Sequence, residues 1–223
     1  MRSVFDYDNK LMQTLSALGD LVILNVLFIL CCVPVFTIGA AQAALCTGLR
    51  QLTNKEDDSS CIAAFFRGFT SGFGTITGAY CVMLVSLVIS GYSAASVLFY
   101  ESAGASGAPV ILSWIALFLC AVVQTFMSVF HSRFHCTFGQ LFKNTWLMFI
   151  ANFPRALLCG LLAWAPVILF LFNFKVFLQM TPVILIIGYS VLFLLINWLS
   201  KKPFERLIAI MKEKETPAEE ITQ

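Results

Sequence analysis

Long apolar runs are the feature of this sequence that most limits what it can fold into. Residues 18–36, 75–100, 108–130, 154–174 and 176–199 form five runs of about 20 residues with few or no charges. Such a run matches the roughly 30 Å hydrocarbon core of a bilayer at a rise of about 1.5 Å per residue. The chain is 59% hydrophobic and 12% charged, against about 25% charged in ordinary soluble domains. We therefore expect an all-α membrane protein and not a water-soluble one.

A shorter apolar stretch, residues 37–52, decides how many times the chain crosses the membrane. It follows Pro34, which a helix interior tolerates badly, so it is either a return crossing or a re-entrant stub. With a return crossing, thirteen of the fourteen Lys and Arg residues share one face and only Lys175 lies opposite. Without it, Arg2 and Lys10 change sides and the split falls to eleven against three. Because Lys and Arg are retained on the cytoplasmic side, we predict six crossings with both termini cytoplasmic.

A cleaved signal peptide is the alternative for the first apolar run. Residues 21–33 have the composition of a signal-peptide core, and residues 41–43 read AQA, which fits a cleavage site. The preceding segment argues against cleavage, because Arg2 and Lys10 are outnumbered by three Asp residues and give no positive flank. We therefore predict that the run stays in the protein.

The end of the chain differs in composition from the rest. Lys201 and Lys202 form a basic pair suited to anionic headgroups. After Lys214 the sequence becomes acidic and polar, which predicts disorder. We expect a single polytopic membrane domain over residues 1–208 and a partly disordered cytoplasmic tail over residues 209–223.

Two predicted cytoplasmic loops carry amphipathic patterns. The first stripe is Ile62, Phe65, Phe66, Phe69 and Phe73, and the second is Phe138, Leu141, Phe142, Trp146 and Phe149. Each stripe has helical spacing and predicts a helix in the plane of the interface, followed by two crossings. Because this order occurs twice, with AAFFRGF aligned on GQLFKNT, we predict a parallel internal repeat. A looser stripe over residues 4–18 would make the N-terminus a third copy.

Polar side chains within the apolar runs are the candidates for function, because burying them in lipid is costly. Asp20 could bind a cation or carry a proton, yet its place near a helix end favours a capping or interfacial role. The amides could line a polar path, although hydrogen bonding between helices is the favoured role and needs one partner each. These amides are Asn25, Gln42, Gln124, Asn152, Asn173 and Asn197.

The sequence lacks the motifs of enzymes and cofactor sites. It contains no GxSxG, no GxxxxGK[ST] and no CxxC, so we predict no catalytic set, cofactor or metal. His131 and His135 lie four residues apart beside Cys136, but no carboxylate accompanies them and Arg133 would repel a cation. The net charge of +2 comes without a basic tract, which excludes a nucleic-acid partner.

Three segments together resemble a known family. They are FDYDNKLMQTLSALGDLVILNVLFILCCVPVFTIGAAQAAL, FFRGF and RFHCTFGQLFKNTWLMFIANFPRALL. They are similar to the YesL family of bacterial integral membrane proteins, which carries a domain of unknown function. The resemblance spans about residues 4–208 and is most specific in VPVFTIGAAQAAL. Members often lie beside genes for carbohydrate ABC importers and polysaccharide-degrading enzymes, so the resemblance implies a plasma-membrane protein linked to sugar uptake, without established site residues.

Three functions follow as hypotheses. The first is a non-enzymatic accessory that associates with permease or ATPase subunits of an ABC-type sugar importer, or with its regulators. Its docking candidates are Phe65, Phe66, Phe69, Phe142 and Trp146. The alternative is a small-solute permease or channel, in which Asn25, Gln124, Asn152 and Asn197 converge near the midplane. An intramembrane enzyme acting on lipid would need Asp20, His131 or His135 at headgroup level. The sequence specifies no oligomeric state.

Overall fold

The computed structural model describes residues 2–54, 60–100, 108–134 and 137–220, and the regular elements in these segments are all helical. They are α1 (Arg2–Cys31), α2 (Ile38–Asn54), α3 (Cys61–Ser71), α4 (Phe73–Tyr100), α5 (Ala108–His131), α6 (Phe138–Ala151), α7 (Phe153–Phe172), α8 (Phe174–Val183) and α9 (Tyr189–Glu220). A 3-10 turn (Val35–Thr37) precedes α2, and a π-helical turn (Ile184–Gly188) joins α8 to α9. The predicted all-α fold is confirmed.

Five stretches of these helices are long and apolar enough to cross a membrane. They are Thr14–Cys31, Phe73–Ser93, Ile111–His131, Phe153–Phe170 and Phe174–Glu205. Each overlaps one of the five long apolar runs of the sequence. The structure therefore supports a multi-pass membrane protein.

Helices α4 and α5 form a long antiparallel hairpin. Near its turn, Ser93 Oγ donates a hydrogen bond to Ser113 Oγ over 3.0 Å. At its open end, a Cβ on Gly72 would overlap the imidazole of His131. Only glycine allows this close approach, so Gly72 fixes how the start of α4 meets the end of α5.

Helix α7 pairs in the same way with α8 and α9. The ring centroids of Phe170 and Phe177 lie 5.2 Å apart near the turn. At the other end, Cys159 Sγ and Ser200 Oγ lie 3.5 Å apart. These two hairpins supply four antiparallel crossings.

Helices α1 and α2 form a third antiparallel hairpin. Its turn is closed by Thr37, whose Oγ1 donates to the carbonyl oxygen of Cys31 over 2.5 Å. Further down, the side chain of Leu24 packs against Gly48. The helix break falls at Pro34, as the sequence predicts.

The turn of the α1–α2 hairpin lies partway along the α4–α5 hairpin. Gly39, in the first turn of α2, packs against Tyr80 of α4 and Gln124 of α5. Tyr80 is seven residues, about 10 Å, from the start of α4, and Gln124 is equally far from the end of α5. Contact between α4 and α5 continues to Ser90, about 15 Å beyond Tyr80. The first hairpin is therefore shallower than the second.

Asp20 fixes the polar end of this first hairpin. Its carboxylate lies beside the thiol of Cys61, and Cys61 follows the charged segment NKEDDSS. Residues 21–31 are then the eleven residues between that polar level and the turn, about 16 Å of helix against a hydrocarbon core of about 30 Å. Helix α2 has 17 residues and is not one of the five candidate spans. From this packing we infer a re-entrant hairpin, in which neither α2 nor α1 crosses fully, although Thr14–Cys31 of α1 is long enough to do so; four of the six predicted crossings then remain.

Helices α3 and α6 confirm that the two amphipathic stripes form helices before the long hairpins. Phe65 and Leu141, which are aligned in the predicted repeat, are both fully buried. Phe66 and Phe142, their aligned neighbours, are each 48% exposed. Phe65 is thus a core residue and not a docking residue. The order of elements fits the predicted repeat, while a common fold of the two units stays a prediction.

The last helix is longer than the sequence predicts. Helix α9 continues as far as Glu220, although the composition after Lys214 predicts disorder. Residues 221–223 lie outside the described part of the chain.

Candidate functional site

The predicted intramembrane polar residues lie in separate places. Asn25 contacts the π-helical turn, and Asn152 lies at the break between α6 and α7. Gln124 lines a cavity inside the bundle, whereas Asn197 lines another at its end. The convergence of these four amides that a permease would require is not observed.

Asn25 joins α1 to the π-helical turn. It is fully buried, and its Nδ2 donates to the carbonyl oxygens of Leu185 over 2.6 Å and Ile184 over 3.3 Å. Its Oδ1 accepts from the backbone N–H of Ser190 over 3.0 Å. A π-helical turn disturbs the regular i→i−4 pattern of backbone hydrogen bonds. Asn25 pairs with two carbonyl groups inside this turn and with one N–H just after it. This is the interhelical role that the sequence favours for the amides.

Asn152 and Asp20 have local roles at helix ends. Asn152 Nδ2 donates to the carbonyl oxygen of Met148 over 3.4 Å, across the end of α6. Asp20 contacts Cys61, and burial together with this carboxylate raises the pKa of the Cys61 thiol. Neither contact forms part of a cavity among the described residues.

His131 is a packing residue. It is 4% exposed, and its imidazole lies against Gly72. His135 and Cys136, the other members of the predicted candidate site, lie outside the described residues. Within the described ranges no group of three His, Cys, Asp or Glu side chains could hold a metal ion.

A first cavity, the central cavity, lies between the α1–α2 hairpin and helices α4, α5, α7 and α9. Its volume is about 350 Å³, and its walls are mainly apolar. Its polar side chains include Gln42, Gln124, Thr125 and Tyr80. Gln42 Oε1 accepts from Ser128 Oγ over 3.4 Å, whereas Gln124 Nε2 is buried without a hydrogen-bond partner among the described residues. The described walls carry no formal charge, so the cavity suits a neutral polar solute.

A second cavity, the basic cavity, lies where the ends of α2 and α5 meet the first half of α9. Its volume is about 690 Å³. Its charged lining residues in the described ranges are Arg50, Arg133, Lys201 and Glu205. Three cations therefore face one carboxylate, and Lys201 Nζ lies 3.9 Å from Glu205 Oε1.

The two arginines of the basic cavity are held by neighbouring helices. Arg50 donates to the carbonyl oxygen of Ser132. Arg133 donates to the carbonyl oxygens of Asn197 over 3.1 Å and Ser200 over 3.3 Å. Its guanidinium also lies 4.2 Å from the centre of the Phe204 ring, a favourable cation–π contact. These contacts tie α2, α5 and α9 together and fix where the cations lie.

Sequence reasoning missed the basic cavity. It considered Arg50, Arg133 and Lys201 separately and never as one group, because they are far apart in the chain. The available signal is that each one follows the apolar part of a helix that ends on the same predicted side of the membrane. That signal places the cations at one level but does not show that they surround a cavity.

Comparison with known proteins gives one match. The model of a protein family of unknown function, DUF624, matches residues 21–94. The matched segment, about a third of the chain, begins within α1 and includes α2, α3 and most of α4. No curated protein and no solved structure matches the chain. The chain is thus similar to DUF624 proteins in the α1–α2 hairpin and the two helices that follow it.

Proposed function

We propose that this chain is a non-enzymatic membrane protein that assists bacterial carbohydrate uptake by associating with an ABC-type sugar importer or its regulators. The observation that carries the proposal is a pair of exposed aromatic surfaces on α3 and α6. Phe66 and Phe142 are each 48% exposed, and Trp146 is 38% exposed. An amphipathic helix with an uncovered aromatic face is a common docking element.

The surroundings of these side chains support docking at the predicted cytoplasmic boundary. Phe66 precedes Arg67, and Phe142 precedes Lys143, and both cations are exposed. Tyr, Trp, Phe and Arg are enriched at protein interfaces, and Phe66 with Arg67, like Phe142 and Trp146, belongs to these residue types. We call the set Phe66, Phe142 and Trp146 the aromatic surface.

The link to carbohydrate uptake rests on the resemblance to the YesL family. The DUF624 match over residues 21–94 is compatible with that family, and it includes VPVFTIGAAQAAL, the most specific part of the resemblance. The gene neighbourhoods of that family supply the proposed partner, an ABC importer.

Affinity purification from the native host in mild detergent tests this proposal. We expect importer permease or ATPase subunits in the eluate of the natural chain, identified by mass spectrometry. Phe66→Glu and Phe142→Glu place a charge on the aromatic surface and should remove those subunits. Phe172→Glu is the matched control, because Phe172 is 87% exposed at the opposite end of α7. A preparation without importer subunits, or equal loss in the control, would contradict the proposal.

A small-solute permease is the second candidate, and the central cavity is the observation that favours it. Re-entrant segments are tolerated in a membrane where they are buried in protein or line a cavity. Here the start of α2 contributes Gln42 to the cavity wall, which also contains Gln124. Uptake of labelled neutral polyols and monosaccharides into liposomes tests this function, and Gln124→Leu should abolish it. Uptake no faster than into protein-free liposomes would exclude it.

A further inference from the structure

The basic cavity combines cations with apolar walls. Leu194, Leu195 and Trp198 of α9 supply the apolar wall, and Lys201 lies three to seven residues further along the same helix, whereas the two arginines come from neighbouring segments. Leu195 is 45% exposed and Trp198 is 73% exposed, so this wall continues onto the outer surface of the bundle. A ligand in this cavity meets positive charge at one end and an apolar surface at the other.

Arg50 and Lys201 lie on α2 and α9, and Arg133 lies in the turn after α5. Contacts with neighbouring groups hold the arginines in place. Arg133 is stacked on Phe204 and bonded to two carbonyl oxygens of α9. Lys201 is less constrained, because its side chain is 54% exposed and its carboxylate partner is 59% exposed. Such an exposed pair is weak, so an anion with more charge than one carboxylate can compete for Lys201.

The cavity wall also contains an unsatisfied hydrogen-bond acceptor. Asn197 is 8% exposed and lines the cavity. Its Nδ2 donates to the carbonyl oxygen of Cys46 over 3.5 Å, whereas its Oδ1 is buried with no partner among the described residues. Buried polar atoms without a partner are rare and costly, so a hydroxyl group that enters beside Asn197 and opens access to this oxygen can donate to it.

We propose that the basic cavity binds a phosphate ester that carries free hydroxyl groups. The phosphate lies beside Lys201 and the arginines, and a hydroxyl donates to Asn197. Two sources share this chemistry: an anionic phospholipid with a polyol headgroup, and a soluble polyol or sugar phosphate. The apolar wall of Leu194, Leu195 and Trp198 favours the lipid, because its acyl chains can follow that wall into the bilayer.

Native mass spectrometry of the full chain in nanodiscs tests the proposal. Phosphatidylglycerol, with two headgroup hydroxyls, should be retained in preference to phosphatidylcholine with the same acyl chains. Phosphatidylethanol has the same charge but no headgroup hydroxyl, so weaker retention of this lipid would assign a hydroxyl contact. Glycerol 3-phosphate is the soluble probe, and its displacement of phosphatidylglycerol would identify the soluble source. No preference for phosphatidylglycerol over phosphatidylcholine, together with no binding of glycerol 3-phosphate, would overturn the proposal.

Two substitutions with opposite expected effects locate the binding at the basic cavity. Lys201→Gln should weaken retention of phosphatidylglycerol about three- to tenfold, because it removes a charged donor. Glu205→Gln should strengthen retention, because it removes the only carboxylate among the described lining residues. Lys202→Gln is the matched control, since Lys202 is also exposed on α9 but does not line the cavity. Equal effects of Lys201→Gln and Lys202→Gln would show surface attraction and overturn the site.

Discussion

Asn25 shows how a single polar side chain stabilises an irregular helix inside the bundle. Its amide contacts Ile184, Leu185 and Ser190 around the π-helical turn. Asn25→Leu removes both the donor and the acceptor, so buried backbone groups lose their partners. We expect a loss of about 1–3 kcal/mol in the free energy of unfolding, measured in detergent with a denaturing co-solvent.

Asn25→Asp separates hydrogen bonding from packing at the same position. The carboxylate keeps the shape and the acceptor but has no Nδ2 donor, and it lies against two carbonyl oxygens. We expect this variant to be less stable than the natural chain. Asn173→Asp is the control, because the side-chain contact of Asn173 uses its Oδ1, which accepts from the Val176 N–H at an exposed helix start, and aspartate keeps that acceptor. Equal stability of Asn25→Asp and the natural chain would contradict the assigned hydrogen bonds.

Gly72 and Gly74 give a second prediction, since one additional methyl group has different surroundings at the two positions. At Gly72 the new Cβ overlaps the imidazole of His131, whereas at Gly74 nothing lies within 4 Å. We expect Gly72→Ala to lower the melting temperature, with a cost of about 1–3 kcal/mol. Gly74→Ala, within α4, should be neutral or stabilise by about 0.5–1 kcal/mol. Similar melting temperatures of the two variants would contradict the contact between Gly72 and His131.

The helices themselves could be predicted from the sequence, because a long apolar run is sufficient to indicate a helix embedded in the membrane. All five long runs and both amphipathic helices are found. The depth of α2 could not be predicted in the same way, since it depends on which neighbours Gly39 and Gly48 contact. Likewise, nothing near Asn25 in the sequence indicates that its partners are Leu185 and Ser190, about 160 residues later. The composition of a segment predicts its own secondary structure, whereas these contacts join segments that are distant in the sequence.

The depth of the α1–α2 hairpin is a prediction about an element. Val35, in its turn, is 58% exposed, and a re-entrant hairpin places it within the hydrocarbon core. A spin label at Val35→Cys, in a chain without its natural cysteines, should therefore collide often with oxygen and seldom with a polar nickel complex. Lys175→Cys is the control for the opposite surface and should show the reverse. A label at position 35 that behaves like the one at position 175 would establish the full crossing.

The predicted topology places nearly all Lys and Arg residues at one end of the molecule. Thirteen of its fourteen Lys and Arg residues share one predicted face, and Lys175 is the exception. This distribution holds for a re-entrant hairpin as it does for two full crossings, because either arrangement returns α2 to the side on which α1 begins. The basic cavity and the aromatic surface, which belong to the two proposals made above, then lie on that face.

Reporter fusions test the predicted orientation. A re-entrant hairpin followed by four crossings leaves both termini on the same side of the membrane. Green fluorescent protein should fluoresce at either terminus, since both are predicted to be cytoplasmic. Alkaline phosphatase fused after Lys175, between the two arms of the α7–α9 hairpin, should be active because that position lies opposite. Fluorescence at the C-terminus but not at the N-terminus would mean that α1 crosses and α2 does not return. The contacts of Leu24 with Gly48 and of Thr37 with Cys31 make that outcome incompatible with this fold, so the fusions test the hairpin as well as the orientation.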